Sequence, residues 1–175
     1  MGIDKKIGRL EKGKLNLITD VKGIKIGHKT LANGNIQTGV TAIIPTENNI
    51  FKEKFLCASY VINGFGKSVG LVQVDELGTL ETPIILTNTL SVGTALTGLV
   101  KYMLKNNPEI GESTGTVNPI VLECNDMRLN DIRALNIKEE DVFDAIKDAD
   151  SIFEEGAVGA GRGMKCYELK GGIGS

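Results

Sequence analysis

The stretch from residue 83 to residue 106 constrains the fold more than any other part of the sequence. Residues 83–88 form a short apolar run of the kind found in strands that are buried on both faces. This run passes directly into residues 89–106, whose apolar side chains fall on one broad stripe of a helix. The helix is expected to end before Pro108, because proline disfavours helical backbone in the residue before it. A buried strand that leads into an amphipathic helix predicts a layered domain.

Further strands are predicted on both sides of this unit. Residues 39–44 are β-branched and stop at Pro45, and residues 117–124 are largely apolar. Residues 55–63 are also strand-like, while residues 15–28 alternate around a Lys-Gly turn and predict a hairpin or a bent strand. These patterns add strands that can complete a sheet around the central run.

A second helix is predicted over residues 138–149. Asn136 is its candidate N-cap, because Glu139 follows three residues later with the spacing of a capping box. The alternation of strands and helices indicates an α/β or α+β domain. A chain of 175 residues is long enough for one domain with a core but short for two, so residues 1–175 are expected to form a single domain.

The composition excludes several classes of function. The 20 basic and 22 acidic residues give a net charge of -2, and no basic patch of the kind that binds nucleic acid is present. Cys57, Cys124 and Cys166 are widely spaced, which argues against a disulfide framework or a zinc site. No apolar run has the length of a membrane span or of a signal peptide, so a cytoplasmic protein is expected. The 22 glycines predict tight turns, close backbone packing or a backbone-lined site.

Three motifs imitate functional sites but favour structural interpretations. Residues 64–68 read Gly-Phe-Gly-Lys-Ser, yet Val61 stands where a phosphate loop needs glycine, so a tight turn is favoured. The glycines of residues 156–163 lack the strand-loop-helix context of a dinucleotide site, which favours backbone packing. His28 is the only histidine, and a structural histidine at a strand end is the favoured interpretation.

Polar residues after the strand of residues 117–124 are stronger candidates for a site. Glu123, Asn125 and Asp126 follow a mostly apolar run, where a carboxylate is costly unless a cation pairs with it. That cation is either a protein side chain or an ammonium group of a substrate, and the pattern does not decide between them. Lys170 precedes Gly-Gly-Ile-Gly and either supplies positive charge to a reacting group or is a solvated lysine at a strand edge.

Taken together, five segments resemble the L-aminopeptidase/D-esterase family, which includes D-aminopeptidases, β-peptidyl aminopeptidases and nylon-oligomer hydrolases. The matching segments are residues 18–28, 37–45, 63–95, 117–133 and 155–175. The resemblance implies an α+β fold, a four-layer αββα sandwich of which this chain is the N-terminal (α-subunit) portion. The glycine-rich Lys-Gly-Gly-Ile-Gly-Ser turn at the end of the sequence independently suggests a fragment of a longer chain.

The resemblance also implies the reaction. Such precursors cut themselves once, and the new N-terminal Ser or Thr acts as nucleophile with its own α-amine as base. That residue would lie beyond Ser175, on a C-terminal β-fragment. The implied activity removes N-terminal residues from small peptides, amides or esters. The implied assembly is a homo-oligomer of four processed pairs, and neither a cofactor nor a metal is expected.

The same resemblance assigns roles to individual residues. Glu123 would hold the free amino group of the substrate, and Lys170 would lie near the nucleophile in a catalytic role. Asn125 and Asn63 would contribute to substrate binding. Met127-Arg128 and Arg162 depart from the residues common in relatives, which bears on side-chain specificity.

Two other interpretations of the sequence stay open. The first is an acyltransferase of the ornithine-acetyltransferase type, which shares the self-cleaving logic. The second is a non-catalytic fragment that serves only as a structural half.

Overall fold

A computed structural model describes residues 8–62 and 64–175. In chain order the elements are strands β1 (Lys25–Asn33), β2 (Ile36–Ile44) and β3 (Phe55–Leu56), helix α1 (Leu71–Leu77), strands β4 (Thr79–Leu80) and β5 (Ile84–Asn88), helix α2 (Val92–Asn106), strand β6 (Ile120–Cys124), helix α3 (Glu139–Lys147), and strands β7 (Lys165–Cys166) and β8 (Leu169–Lys170). None of the described helices is both long and apolar enough to cross a membrane.

The main sheet has four strands in the order β1-β2-β5-β6. β1 and β2 form an antiparallel hairpin, and its turn contains Gly34 with a φ of 53°. β2 pairs with β5 in antiparallel fashion, whereas β5 and β6 are parallel and place Thr87 opposite Glu123. The strand predicted at residues 83–88 is therefore confirmed as a central strand, with a neighbour on each side.

Helices α2 and α3 pack on one face of this sheet and form the core with it. The core is built from side chains that are fully buried, among them Val40, Ile85, Leu99, Val121 and Val142. α3 also approaches β1 through its backbone, because a Cβ atom on Gly27 would lie 2.1 Å from the carbonyl oxygen of Ala145. This contact brings a helix directly against a strand and leaves room only for glycine at residue 27.

The glycine-rich segment covers part of the opposite face of the sheet. Its short 3-10 helix, Gly159–Gly161, packs on β1 and β2. Gly159 has a φ of 49°, and a Cβ atom there would lie 2.3 Å from Thr41 Oγ1. On β2, a Cβ atom on Gly39 would lie 2.5 Å from the carbonyl oxygen of Gly159. Gly159, Gly161 and Gly163 therefore serve close backbone packing, as the sequence predicted, whereas a Cβ atom on Gly156 would meet nothing within 4 Å.

Some predicted elements differ from the structure. Residues 15–28 do not form a hairpin, because a 3-10 turn at Ile18–Asp20 precedes β1 and the Asp20 carboxylate accepts the backbone N–H of Leu15 at 2.9 Å. In the described part of the strand predicted at residues 55–63, which leaves out Asn63, only Phe55–Leu56 pairs with another strand. β6 begins at Ile120 rather than at residue 117, directly after Pro119.

The predicted helices are confirmed, with shifted starts. α2 begins at Val92, after a 3-10 turn at Thr89–Ser91. The cap predicted for α3 is wrong: Lys138 occupies the N-cap, and its backbone N–H donates to the Asp141 carboxylate at 2.8 Å. α1 was not predicted, although left-handed glycines flank it at Gly70 (φ 92°) and Gly78 (φ 64°).

The described residues form an α+β arrangement in which a helical layer covers one face of a mixed sheet. The main sheet and the α2–α3 layer supply two of the four layers in the predicted sandwich, and β3-β4 and β7-β8 form two small additional sheets.

Candidate active site

The candidate site lies where the parallel strands β5 and β6 end. Glu123 is the penultimate residue of β6, is half-buried, and lies opposite Thr87 of β5. Carboxyl ends of neighbouring parallel strands are a common location for binding sites in layered proteins. Glu123 and Leu122 border two cavities, one of about 330 Å³ and one of about 440 Å³.

The smaller cavity, called here the strand-end cavity, lies between the strand ends and the C-terminal segment. Apolar side chains form much of its wall: Leu86, Leu122, Ala160, Met164 and Ile173. Glu123 and Lys165 are its charged lining residues, and Gly161, Gly171 and Gly172 contribute backbone. A carboxylate beside an apolar wall suits a small molecule that combines a cationic group with a short apolar part. The larger cavity, called here the loop cavity, is lined by residues 57–62 and by α1.

Two neutral donors hold the Glu123 carboxylate. The backbone N–H of Lys67 donates to Oε1 at 3.0 Å, and the hydroxyl of Thr89 donates to Oε2 in a short hydrogen bond. The ammonium of Lys67 points elsewhere: it donates to the carbonyl oxygen of Phe65 at 2.7 Å and lies 4.1 Å from the centre of the Phe65 ring. No lysine or arginine within residues 8–62 and 64–175 forms an ion pair with Glu123. The carboxylate therefore keeps its negative charge available to a ligand.

Lys170 lies beside the strand-end cavity rather than in its lining. Its ammonium donates to the carbonyl oxygen of Gly161 at 3.1 Å and, in a shorter bond, to that of Gly171. Both glycines line the cavity. Burial and the positive charge of Arg162 lower the pKa of Lys170. A lysine with a lowered pKa beside a cavity is suited to proton transfer or to charge stabilisation.

The other predicted site residues are placed differently. Asn125 is exposed, and its Oδ1 accepts the backbone N–H of Met127 at 3.0 Å, so it shapes the turn after β6. Asn125 lines neither the strand-end cavity nor the loop cavity. Asn63 lies outside the described residues. The structure thus brings Glu123 and the neighbourhood of Lys170 to one cavity, and leaves Asn125 outside its lining.

The comparison with known families decides what kind of protein carries this site. A family model described as peptidase family S58 matches residues 16–175. The chain belongs to peptidase family S58. Two S58-like relatives, named beta-peptidyl aminopeptidase BapA, come from Sphingosinicella xenopeptidilytica and Sphingosinicella microcystinivorans and are 36% and 32% identical. Each alignment covers 93% of this chain and 42% of the relative.

Solved structures give the same result for the fold. A protein of Pyrococcus horikoshii OT3 is 58% identical with a TM-score of 0.93. The match covers 95% of the S58 chain and 50% of that protein. A Burkholderia sp. beta-aminopeptidase is 38% identical with a TM-score of 0.85, and the match covers 94% of the S58 chain and 47% of that enzyme.

A solved structure with lower sequence identity identifies the type of fold. The L-aminopeptidase D-Ala-esterase/amidase of Ochrobactrum anthropi is 27% identical with a TM-score of 0.85, and is described as a variant of the N-terminal-nucleophile (Ntn) hydrolase fold. The match covers 94% of the S58 chain and 48% of that enzyme. The S58 chain therefore has the Ntn-type α+β fold, and it spans about half the length of the relatives it matches.

His28 has a structural role in the S58 chain, but at a different place from the one predicted. It lies inside β1, opposite Thr41, rather than at a strand end. Its Nε2 bonds to the carbonyl oxygen of Glu154 at 3.0 Å, so Nε2 carries the proton, and Nδ1 accepts from the Thr41 hydroxyl at 2.9 Å. Burial lowers the pKa of His28, which favours this neutral form. Within the described part of the chain, no group of three or more His, Cys, Asp or Glu side chains is arranged to hold a metal.

Sequence reasoning missed Thr89, and it singled out Asp126 without predicting that this carboxylate is buried. Thr89 was assigned only to the start of a helix, although its hydroxyl bonds to Glu123 across 34 positions of the chain. Asp126 is completely buried, with Oδ1 accepting from Asn130 at 3.1 Å and Oδ2 without a partner among the described residues. Burial raises the pKa of Asp126, and the hydrogen bond from the Asn130 side chain opposes this shift. The Asn-Thr pair at the end of β5 was the one local signal for Thr89, because Asn commonly caps a helical turn.

Proposed function

We propose that this chain is the N-terminal part of a self-processing aminopeptidase that hydrolyses N-terminal residues of small peptides, amides or esters. The nucleophile is an N-terminal Ser or Thr that a downstream β-fragment of the same precursor supplies. The family match and the named aminopeptidase relatives support this activity. The chain's coverage of about half of each relative supports a second fragment.

One observation carries the proposal: Glu123 lines two cavities, and no described lysine or arginine pairs with its carboxylate. An aminopeptidase must recognise a free ammonium group, and a carboxylate held by neutral donors is its natural partner. Both donors, the Lys67 backbone N–H and the Thr89 hydroxyl, leave the net charge of Glu123 unchanged. Glu123 is accordingly the amine anchor of this proposal.

The remaining residues receive subsidiary roles. Lys170, with its lowered pKa beside the strand-end cavity, lies near the incoming nucleophile and assists proton transfer or self-cleavage. Asn125 and Asn63 contribute to substrate binding. The apolar wall of the strand-end cavity accepts a short side chain or backbone segment.

Substrate stereochemistry and assembly belong to the same proposal. The names of the relatives include β-peptidyl, L-amino-acid and D-alanine substrates, and we place D-aminopeptidase activity among the activities to be tested. We further propose a single domain over residues 1–175, a cytoplasmic location, and a homo-oligomer of four processed pairs.

The amine anchor is tested by Glu123→Gln in the processed enzyme. The substrates form a matched pair: 3-aminopropanoyl p-nitroanilide and propanoyl p-nitroanilide, which lacks only the amino group. Loss of one charge-assisted hydrogen bond should lower kcat/KM for the amine substrate by roughly tenfold to a hundredfold, about 1.5–3 kcal/mol. Turnover of the propanoyl compound should stay within about twofold of wild type if the anchor acts only on the amine.

The control is Glu112→Gln, which changes an exposed glutamate in the same way outside both cavities. An equal loss on the two substrates would reject Glu123 as the amine anchor.

Self-processing is tested separately, by intact-mass measurement and N-terminal sequencing of the purified protein. A second polypeptide that begins with Ser or Thr and copurifies with this chain is expected. A protein without such a polypeptide would have no attacking group, and the aminopeptidase proposal would fail. An assay with ornithine as acyl acceptor separates hydrolysis from the acyltransferase alternative, since transfer without hydrolysis would replace the proposal.

A further inference from the structure

The carboxylate of Glu123 is held from two directions by residues that are distant in the chain. The backbone N–H of Lys67 approaches Oε1 from the loop before α1, and the Thr89 hydroxyl approaches Oε2 from the turn after β5. Two donors on opposite oxygens fix the rotation of a carboxylate as well as its position. Of the two, only the donor on Thr89 is a side chain that can be removed.

Thr89 is itself fixed by a buried residue. Asn88 is 3% exposed and its Oδ1 accepts the backbone N–H groups of Leu90 and Ser91, each at 3.1 Å. Its Nδ2 donates to Thr38 Oγ1 on β2 at 2.8 Å. The turn that carries Thr89 is therefore capped at its first residue and tied to the neighbouring strand. The Thr89 hydroxyl is delivered to Glu123 from a rigid support.

We propose that Thr89 is a positioning residue that holds the Glu123 carboxylate in the orientation in which it receives the substrate's amino group. Glu123 has three side-chain torsions, and an unheld carboxylate between two cavities can turn toward either one. The hydroxyl of Thr89 removes that freedom without neutralising the charge, as a lysine or arginine would. This inference rests on the proposed role of Glu123 as amine anchor.

The test compares Thr89→Val and Thr89→Ser in the processed enzyme. Valine keeps the shape of threonine and removes the hydroxyl, whereas serine keeps the hydroxyl. Loss of a charge-assisted hydrogen bond that positions the anchor should lower kcat/KM for 3-aminopropanoyl p-nitroanilide by about tenfold, mostly through KM. Thr89→Ser should stay within about threefold of wild type, since the donor is retained. The readout is the ratio of kcat/KM for the amine substrate to kcat/KM for propanoyl p-nitroanilide, which Thr89→Val should lower and Thr89→Ser should largely preserve.

Thr97→Val is the matched control. Thr97 lies on α2, is exposed, and donates to the carbonyl oxygen of Gly93 within its own helix. Its replacement by valine therefore makes the same chemical change away from Glu123. It should leave the preference for the amine substrate unchanged. Far-ultraviolet circular dichroism and the urea midpoint identify a variant that fails to fold, and Thr89→Ser then provides the comparison that remains informative.

The outcomes separate this inference from the proposed function. If Glu123→Gln loses the amine preference while Thr89→Val keeps it, Glu123 is the anchor and the positioning role of Thr89 is wrong. If Thr89→Val slows both substrates equally, or if Thr89→Ser is as impaired as Thr89→Val, a general structural role replaces the positioning role. If Glu123→Gln itself has no effect on the amine preference, both proposals fall together.

Discussion

Replacing Gly159 with alanine tests the close packing between the glycine-rich segment and the main sheet. A Cβ atom at residue 159 would lie 2.3 Å from Thr41 Oγ1 and 2.7 Å from His28 Nδ1. It would thus force apart the hydrogen bond of 2.9 Å that joins these two side chains. The backbone N–H of Gly159 also donates to Thr30 Oγ1 at 2.8 Å, which limits how far the segment can move away.

The expected cost has two parts. The φ of 49° at Gly159 is left-handed, and alanine pays about 1–2 kcal/mol there. Overpacking against neighbours that cannot retreat adds about 1–3 kcal/mol. Gly159→Ala should therefore lower the free energy of unfolding by about 2–5 kcal/mol, a large share of the roughly 5–15 kcal/mol of an ordinary domain.

Gly156→Ala measures the cost of the left-handed backbone alone. Gly156 has a φ of 95°, but a Cβ atom there would have no neighbour within 4 Å. This variant should lose only about 1–2 kcal/mol. Gly93→Ala, in open space on α2, is a second control and should gain about 0.5–1 kcal/mol.

Equilibrium urea unfolding at pH 7 of the three variants and the wild type measures these differences. If Gly159→Ala is no less stable than Gly156→Ala, the segment does not pack on β1 and β2 as described, and the argument for close packing is refuted.

Two further predictions concern stability. Glu168→Gly should raise the free energy of unfolding by about 0.5–1 kcal/mol in urea, because Glu168 has a φ of 63° in the turn between β7 and β8; an unchanged midpoint would contradict this. Asp126→Asn should stabilise the protein at pH 7, because it removes a buried negative charge while the amide oxygen can still accept the hydrogen bond from Asn130. Burial raises the pKa of Asp126 above its ordinary 3.8, so the stability tied to its protonated form is lost as the pH rises. The gain in free energy of unfolding from Asp126→Asn should therefore shrink as the pH falls. A gain that does not depend on pH would point to another cause. Asp131→Asn, which changes an exposed acid, is the control.

Local sequence patterns correctly predicted the elements whose periodicity is visible in consecutive residues. The apolar run that became β5 and the amphipathic stripe that became α2 carry their periodicity in consecutive residues, and both were confirmed. The cap of α3 was misplaced because Asp141, rather than Glu139, meets the backbone at the helix start. α1 was missed because its seven residues are too few for a clear stripe.

The candidate site shows where sequence reasoning ends. Glu123 could be singled out, because a carboxylate at the end of an apolar strand is unusual in the sequence itself. Its partners could not, since Lys67 lies 56 positions away and Thr89 lies 34 positions away. Such contacts depend on the order β1-β2-β5-β6 and on how the loops return to the strand ends, which no local pattern encodes.

In the structure, the residues that depart from the family pattern lie outside the linings of both cavities. Met127 and Arg128 are exposed and line neither the strand-end cavity nor the loop cavity. Arg162 is absent from both linings as well, and its Nε donates to Gln37 Oε1 at 2.7 Å, so it ties the glycine-rich segment to β2. Arg162 therefore bears on packing around the site, whereas Met127 and Arg128 contribute to neither cavity.

Specificity on this half of the site should depend instead on the side chains that do line the strand-end cavity. Gly161, Gly171 and Gly172 contribute only backbone, and a Cβ atom on Gly172 would lie 2.4 Å from the carbonyl oxygen of Gly156. That wall cannot be reshaped by larger side chains without moving the segment. Met164 is the adaptable member of the wall, because its unbranched thioether side chain fits irregular space. If the proposed function holds, the accepted length of the substrate's apolar part should depend on Met164, and recognition of its amino group should depend on Glu123.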